Sequence, residues 1–294
     1  MKFRSSKMKP SLTAVVPVYN EKEESVLKVI KDLNKVLKST KLTYEIIVVD
    51  DCSDKVNYGF NEEEIIRISK VKLIRHKVNR GYGASLKTGI NNSRYDWILI
   101  TDADGSYPID EIPNLLKYIP DYDMVIGNRH KASIPFLRRF PKWVLRKLAS
   151  FLSKNKVLDL NSGLRVFKKS TCREFWNLLP QRFSFTSTMT MACFTHSYPV
   201  KYVPISYHKR SGKSSIHPIK DTLRFSSLLL RLTMYFNPLR FFVPLSLFFA
   251  LLAIIRGIRD FIVTDAFGGL TLVLFFMSFQ VFFFGLIADI INKK

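Results

Sequence analysis

Cysteine is scarce in this 294-residue chain. The three present, Cys52, Cys172 and Cys193, are widely spaced and odd in number. They argue against a disulfide framework or a zinc site and fit a reducing compartment. Each reads as a small buried residue rather than a reactive thiol. Acidic side chains are few as well: 24 Asp and Glu stand against 46 Lys and Arg, leaving a formal charge of +22. Such an excess implies anionic partners, whether nucleic acid, phospholipid or a phosphorylated substrate. No internal repeat and no low-complexity segment is present. The basic N-terminus (Lys2, Arg4, Lys7, Lys9) is followed by an apolar stretch of only Ala14 to Val18. That is too short and too polar in its sequel for a secretory signal, and residues 1–10 are read as a basic tail.

Long uncharged runs do occur near the C-terminus. Phe241 to Ile255 carries no charge, and Ala266 to Ala288 carries none either, with Gln280 its most polar side chain. At ~1.5 Å per residue the second run covers roughly 30 Å of hydrocarbon, while the first needs its flanks or local thinning. Buried helices of a soluble core are the alternative. Two runs lying back to back with no amphipathic face favour a membrane hairpin over residues 238–294. Arg256, Arg259, Asp260 and Asp265 fall in the intervening loop; Arg231 and Arg240 flank one side, Lys293 and Lys294 the other. The positive-inside rule then places the large domain and the C-terminus in the cytoplasm, with the plasma membrane preferred over the endoplasmic reticulum.

From Leu12 to about His208, short β-rich runs alternate with helical patterns. Residues 12–20, 44–51, 71–76, 96–104 and 123–129 read as strands. Residues 23–38 read as a helix, with Val26, Ile30, Leu33 and Leu37 at helical spacing. Strands apolar on both faces and separated by helices imply a mostly parallel α/β sheet covered on both sides. Three of these strands end in Tyr19-Asn20-Glu21, Asp50-Asp51 and Asp102-Ala103-Asp104. In open α/β sheets ligands bind beyond the carboxyl ends of strands. Asp-x-Asp alone suits a surface turn equally well. As a metal site it would give Mg²⁺ or Mn²⁺ one or two carboxylates, leaving positions for water and diphosphate oxygens. Asp104 is the candidate direct ligand, and Asp102 sits in the second shell or on a ribose.

VVPVYNEKEE, EIIVVDDCSD, NRGYGASLKTGI, LITDADGSYP, GNRH, DLNSGLRVF and HKRSGKSSI occur in that order. Together they resemble family 2 glycosyltransferases of the GT-A (Rossmann-like) fold, and more narrowly the polyprenyl-phosphate glycosyltransferases. The resemblance spans roughly residues 11 to 240, with the GT-A domain read as 11–215. It implies that Pro17, Tyr19, Glu21, Asp50, Asp51, Asp102 and Ala103 meet the nucleotide-sugar, and that Asp102 and Asp104 hold the metal. It implies that Arg129 lies near the phosphates and that Asp159, Ser162 and Arg165 lie near the acceptor. Arg210, Lys213 and Ser214 match a basic loop closing over phosphate. Asp102, Asp104, Arg129, Arg165, Arg210 and Lys213 form the implied catalytic set. Cys52, Ser106 and His130 depart from residues frequent in the family, which bears on nucleotide and sugar preference. A lipid phosphate is ionised at neutral pH and needs no general base; no histidine falls among the strong motifs of the first half. What the reaction needs is cations to align two anions.

Residues 216–237 have helical character, with Lys220, Arg224, Ser227 and Arg231 on one stripe. They read as an amphipathic helix in the membrane interface. A basic, aromatic segment over 136–154 could also lie on the bilayer; nucleic acid is not an expected partner. The reading is an inverting, metal-dependent hexosyltransferase moving a sugar from a nucleoside-diphosphate-sugar to an undecaprenyl or dolichyl phosphate at the cytoplasmic membrane face. A homo-oligomer is left open. The rivals are a membrane-bound enzyme with a glycan acceptor and a non-catalytic adaptor binding nucleotide-sugar or anionic lipid.

Overall fold

The computed structural model describes residues 10–59, 62–129, 155–182, 184–207 and 237–292, with 147, 149–151, 153, 234 and 235. The chain divides into two compact units, Met1–Arg146 with Lys156–Ile216, and Lys147–Asn155 with His217–Lys294. Arg210, Lys213, Ser214, most of 136–154 and most of 216–237 lie outside the described residues.

In the first unit, seven described strands form one sheet: β1 (Ser11–Val18), β2 (Thr43–Asp50), β3 (Val71–Arg75), β4 (Trp97–Ile100), β5 (Met124–Arg129), β6 (Arg165–Lys168) and β7 (Val200–Ile205). Their order is β3-β2-β1-β4-β6-β5-β7. β1 pairs in parallel with β2 and β4, β2 with β3, and β5 with β7; β6 runs antiparallel to β4 and β5. The sheet is therefore mixed but mostly parallel, as expected. β6 and β7 were not anticipated as strands, because runs as short as Arg165–Lys168 carry little periodicity.

Helices flank the sheet. α1 (Glu23–Ser39) buries Val26, Val29, Ile30, Leu33 and Leu37, the helical stripe read from the sequence. α2 (Lys55–Tyr58) and α3 (Glu62–Arg67) follow β2, and α4 (Tyr82–Asn92) lies against β1. At Gly89 a Cβ would stand 2.3 Å from Val15 Cγ1, so only glycine permits this approach. α5 (Ile112–Leu116), α6 (Lys169–Glu174) and α7 (Phe185–Thr195) complete the unit.

Strand order reverses beside β1: the chain goes outward to β2 and β3, then returns to β4 on the other side. That reversal opens a crevice at the carboxyl ends of β1 and β4. The local hydrogen bonds show how. Val15 O accepts from Thr101 N and Val18 O from Asp51 N, so Pro17 presents its nitrogen on the β4 side. β4 ends at Ile100 and Thr101 makes its last bond to β1, so Pro17 forfeits no ladder bond. The run expected as strand 96–104 is thus strand only to Ile100, and Gly105, at φ 72°, turns the chain after it.

In the second unit, α8 (Leu239–Thr264) and α9 (Gly269–Asn292) pack as a hairpin, and both are long and apolar enough to cross a membrane. The expected loop at Arg256–Asp265 is mostly helix. Arg256 Nε lies 3.3 Å from Asp260 Oδ1 one turn on. Asp260 Oδ2 also accepts from Thr271 Oγ1 at 2.7 Å and Gly268 N at 3.2 Å. With its charge paired in this way, Asp260 does not end the helix; Asp265, at φ 52°, does.

Candidate functional site

A cavity of about 500 Å³ opens at the crevice. Pro17, Tyr19 and Glu21 reach it from the end of β1, Asp51 from the end of β2, and Asp102, Ala103 and Asp104 from the turn after β4. Of the residues the sequence assigns to the nucleotide-sugar and metal, only Asp50 is not part of its lining. Asp50 is 1% exposed. Its Oδ1 accepts from Ser53 N at 3.0 Å and from Ser53 Oγ at 2.6 Å, and Oδ2 lies 3.2 Å from Arg75 Nε. Asp50 therefore frames the turn after β2 instead of meeting a ligand.

Asp51 does line the cavity, but it also holds the neighbouring loop. Its Oδ1 accepts from His76 Nδ1 at 2.7 Å and Arg80 N at 2.9 Å, and Oδ2 accepts from Gly81 N at 2.7 Å. His76 Nε2 lies 2.8 Å from Thr88 Oγ1. His76, immediately after β3, was overlooked because it sits outside every motif; the signal was its place at a strand end level with Asp51.

Asp102 Oδ1 accepts from Tyr82 Oη at 3.0 Å. Burial, reinforced by the Asp102 charge, raises the Tyr82 pKa well above its ordinary value, so the phenol stays a donor. Asp104 Oδ1 accepts from Ser106 N at 3.0 Å and Ser106 Oγ at 2.6 Å, which orients its carboxylate. Gly163 lies against Asp102, and a Cβ there would stand 2.7 Å from Asp102 Oδ2. The Gly163 amide donates to Tyr107 Oη at 2.6 Å, and burial raises the Tyr107 pKa. The Ser162–Gly163 turn thus leaves clear the space beside one Asp-x-Asp carboxylate.

The arginines expected on phosphates behave differently. Arg165 is 0% exposed. Its guanidinium donates to Ser162 O at 3.0 Å, Thr186 O at 2.9 Å and Thr190 Oγ1 at 2.8 Å. Burial lowers its pKa. It braces the Ser162–Gly163 turn to the start of α7 and does not present its charge to a ligand, which corrects the sequence reading. Ser162 is likewise fully buried, its Oγ directed to Leu164 O at 3.5 Å. Arg129 forms a two-pronged pair with Asp159, Nε to Oδ2 at 2.7 Å and Nη2 to Oδ1 at 2.8 Å. It also lies 5.3 Å from the Tyr207 ring centre. Asp159 is therefore the partner of Arg129; neither is among the cavity-lining residues.

Asn161, Arg182, Ser184, Thr186 and Ser187 also line the cavity. None was singled out from the sequence, although the hydroxyl-rich run Ser184–Thr190, at the start of α7, was a usable signal.

Comparison with known proteins identifies the class. The model of Glycosyl transferase family 2 matches residues 13–176, more than half of the chain, and the chain belongs to that family. The GtrB C-terminal hairpin model matches residues 237–293. A low-salt glycan biosynthesis hexosyltransferase, Agl6, of Haloferax volcanii is 27% identical over 74% of this chain, which spans only 53% of that relative. The dolichyl-phosphate hexose transferase of the same organism is 26% identical over 70% of this chain and 87% of its own length. Among solved structures, glucosyl-3-phosphoglycerate synthase from Mycobacterium tuberculosis with Mn²⁺, UDP-glucose and phosphoglyceric acid superposes with a TM-score of 0.58. That match is 17% identical and covers 76% of this chain and 80% of that one. The mixed seven-stranded sheet is thus of the GT-A type.

Proposed function

We propose that this protein transfers a sugar from a nucleoside-diphosphate-sugar to a polyprenyl phosphate, with inversion at the anomeric carbon. The observation that carries the reading is the meeting of Asp102 and Asp104 with Pro17, Tyr19, Glu21 and Asp51 in one cavity. The names of relatives that act on dolichyl phosphate support the acceptor class. Two membrane-length helices support an anchor beside a lipid substrate. The globular unit is assigned to the cytoplasmic side, residues 216–237 to the interface and 238–294 to the bilayer.

The residues present fit Mg²⁺ or Mn²⁺. Both Asp-x-Asp side chains are hard oxygen donors, and Gly163 keeps open a space beside Asp102 that a Cβ would fill. Among the described residues no group of three or more His, Cys, Asp or Glu could hold a metal. Asp102 and Asp104 would leave remaining positions to diphosphate oxygens and water. The metal, when bound, supplies charge neutralisation for the departing nucleoside diphosphate. Tyr82 fixes Asp102, and Ser106 fixes Asp104. Tyr19, 49% exposed, and Asp51 line the cavity and are assigned to the base and ribose. The acceptor phosphate attacks without a general base, because it is already anionic. Arg210, Lys213 and Ser214, outside the described residues, are assigned to the phosphates.

The test is detergent-purified protein with Mn²⁺ or Mg²⁺, undecaprenyl or dolichyl phosphate, and a panel of UDP- and GDP-sugars, scored by radiolabel entering the organic phase. Metal-dependent lipid product is expected, with Asp104→Asn reducing turnover at least about a hundredfold while the protein stays folded. Free nucleotide without lipid product would point to a different acceptor. Full activity of Asp104→Asn would remove the metal assignment.

A further inference from the structure

A phosphomonoester acceptor brings a second anion to a cavity whose β4 side already carries two carboxylates. Some cation must receive it. Arg129 is paired with Asp159 and is not among the cavity-lining residues, and Arg165 is sealed inside the unit. Arg182 is the only cationic side chain among the described residues lining the cavity.

Arg182 is built for the task. Its backbone is docked on the start of α4: Arg182 O accepts from Gly83 N at 3.1 Å, and Gln181 O accepts from Ala84 N. The stem is held close, since a Cβ on Gly81 would stand 2.9 Å from Arg182 Cγ. The guanidinium itself makes no hydrogen bond or ion pair among the described residues, and it is exposed. Two residues on, Ser184 adopts φ 85° and α7 begins. The first-turn amides of an α-helix have no carbonyl four residues back to bond, and they favour an anion. Thr186, in that first turn, is only 7% exposed and lines the cavity. Its hydroxyl has no hydrogen-bond partner among the described residues. Ser187, by contrast, is occupied by Asn161.

We propose that Arg182, the Thr186 hydroxyl and the first-turn amides of α7 form the seat of the acceptor's phosphate, in the cavity that also holds the Asp-x-Asp carboxylates. This rests on the polyprenyl-phosphate reading above. A guanidinium fork and a hydroxyl beside oriented amides match a phosphate monoester. The donor diphosphate, paired with metal, belongs on the carboxylate wall instead. Separate seats for the two anions in one cavity are what in-line attack at the sugar requires.

The test titrates farnesyl phosphate, a short prenyl monophosphate, into full-length protein in detergent by calorimetry. Wild type is compared with Arg182→Ala, Arg182→Lys and Thr186→Val, each checked for an unchanged melting temperature. The expected loss is about ten- to a hundredfold in affinity for Arg182→Ala, with partial recovery in Arg182→Lys and a smaller loss in Thr186→Val. Binding of UDP or GDP with Mn²⁺ is expected to stay unchanged. Equal affinity in wild type and Arg182→Ala, or no binding by wild type, overturns the seat. Weakened nucleotide binding with intact farnesyl phosphate binding assigns Arg182 to the donor and overturns it as well. Arg182-dependent binding in a protein that yields no lipid product with any donor would sink the transfer reading and keep the seat. Lipid product formed equally by wild type and Arg182→Ala would do the reverse.

Discussion

Arg165 and Arg129 show how a charged side chain is held within a sheet protein. Arg165 sits inside because carbonyl and hydroxyl acceptors surround its guanidinium. Arg129 is held by Asp159, with side chains 23% and 12% exposed. Burial alone would raise the Asp159 pKa, but the Arg129 hydrogen bonds and charge outweigh it, and the net shift is downward. A carboxyl depressed in the fold stabilises it above the unfolded value of about 3.9, and that contribution is lost as pH falls through the lower folded value. Asp159→Asn is therefore expected to lower the melting temperature at neutral pH and to flatten its decline between about pH 5 and the folded pKa. A parallel decline in wild type and variant would show that the pair contributes nothing to acid stability. Cysteine is simpler. Burial pushes the Cys172 thiol up to about 12 and raises Cys193 as well, so both are inert, as their scarcity and spacing suggested. Cys52, at φ 63°, occupies the kind of backbone position glycine serves.

At the scale of elements, the close approach of α4 to β1 is the contact that shapes the site. Gly89 touches Val15 near the middle of β1, and the start of the same helix carries Gly81 and Tyr82 to Asp51 and Asp102. A methyl group at Gly89 has nowhere to go, and overpacking of this kind costs about 1–3 kcal/mol. Gly89→Ala is expected to lower the urea midpoint accordingly and to weaken nucleotide binding, because lifting α4 displaces Tyr82. A variant as stable as wild type would mean that the helix shifts without strain. The helical stripe of α1 and the strands β1 and β2 were legible because each is long enough to show its pattern, and β4 because its four residues are all apolar. β6 was not: Arg-Val-Phe-Lys is too short to show a period and has a cation at each end.

For the whole molecule, the hairpin makes a topological prediction. α8 and α9 are joined by a short turn at Asp265, so both outer ends of the hairpin lie on one side of a membrane it crosses. With Cys52 replaced by glycine, a cysteine placed at Asp265 should react with an impermeant maleimide from outside intact cells. One placed at Lys294 should react only after lysis. Labelling of both from outside, or of neither, would contradict two crossings with a cytoplasmic domain. The buried thiols Cys172 and Cys193 leave the background low.

The order of the motifs, the alternation of strand and helix and the two apolar runs were decided by sequence alone, because each depends on local periodicity or on residue types at fixed spacing. The strand ends also revealed which carboxylates converge, since parallel strands must end at the same edge. Which charges remain available was decided only by tertiary packing. Asp50 and Asp51 are adjacent in sequence, yet one turns into the loop and the other lines the cavity. Arg165 was read as a phosphate ligand and Arg182 was passed over; the first is enclosed by the carbonyls of its own fold, while the second is left beside the cavity. Availability depends on what packs around a side chain, and those neighbours come from distant parts of the chain.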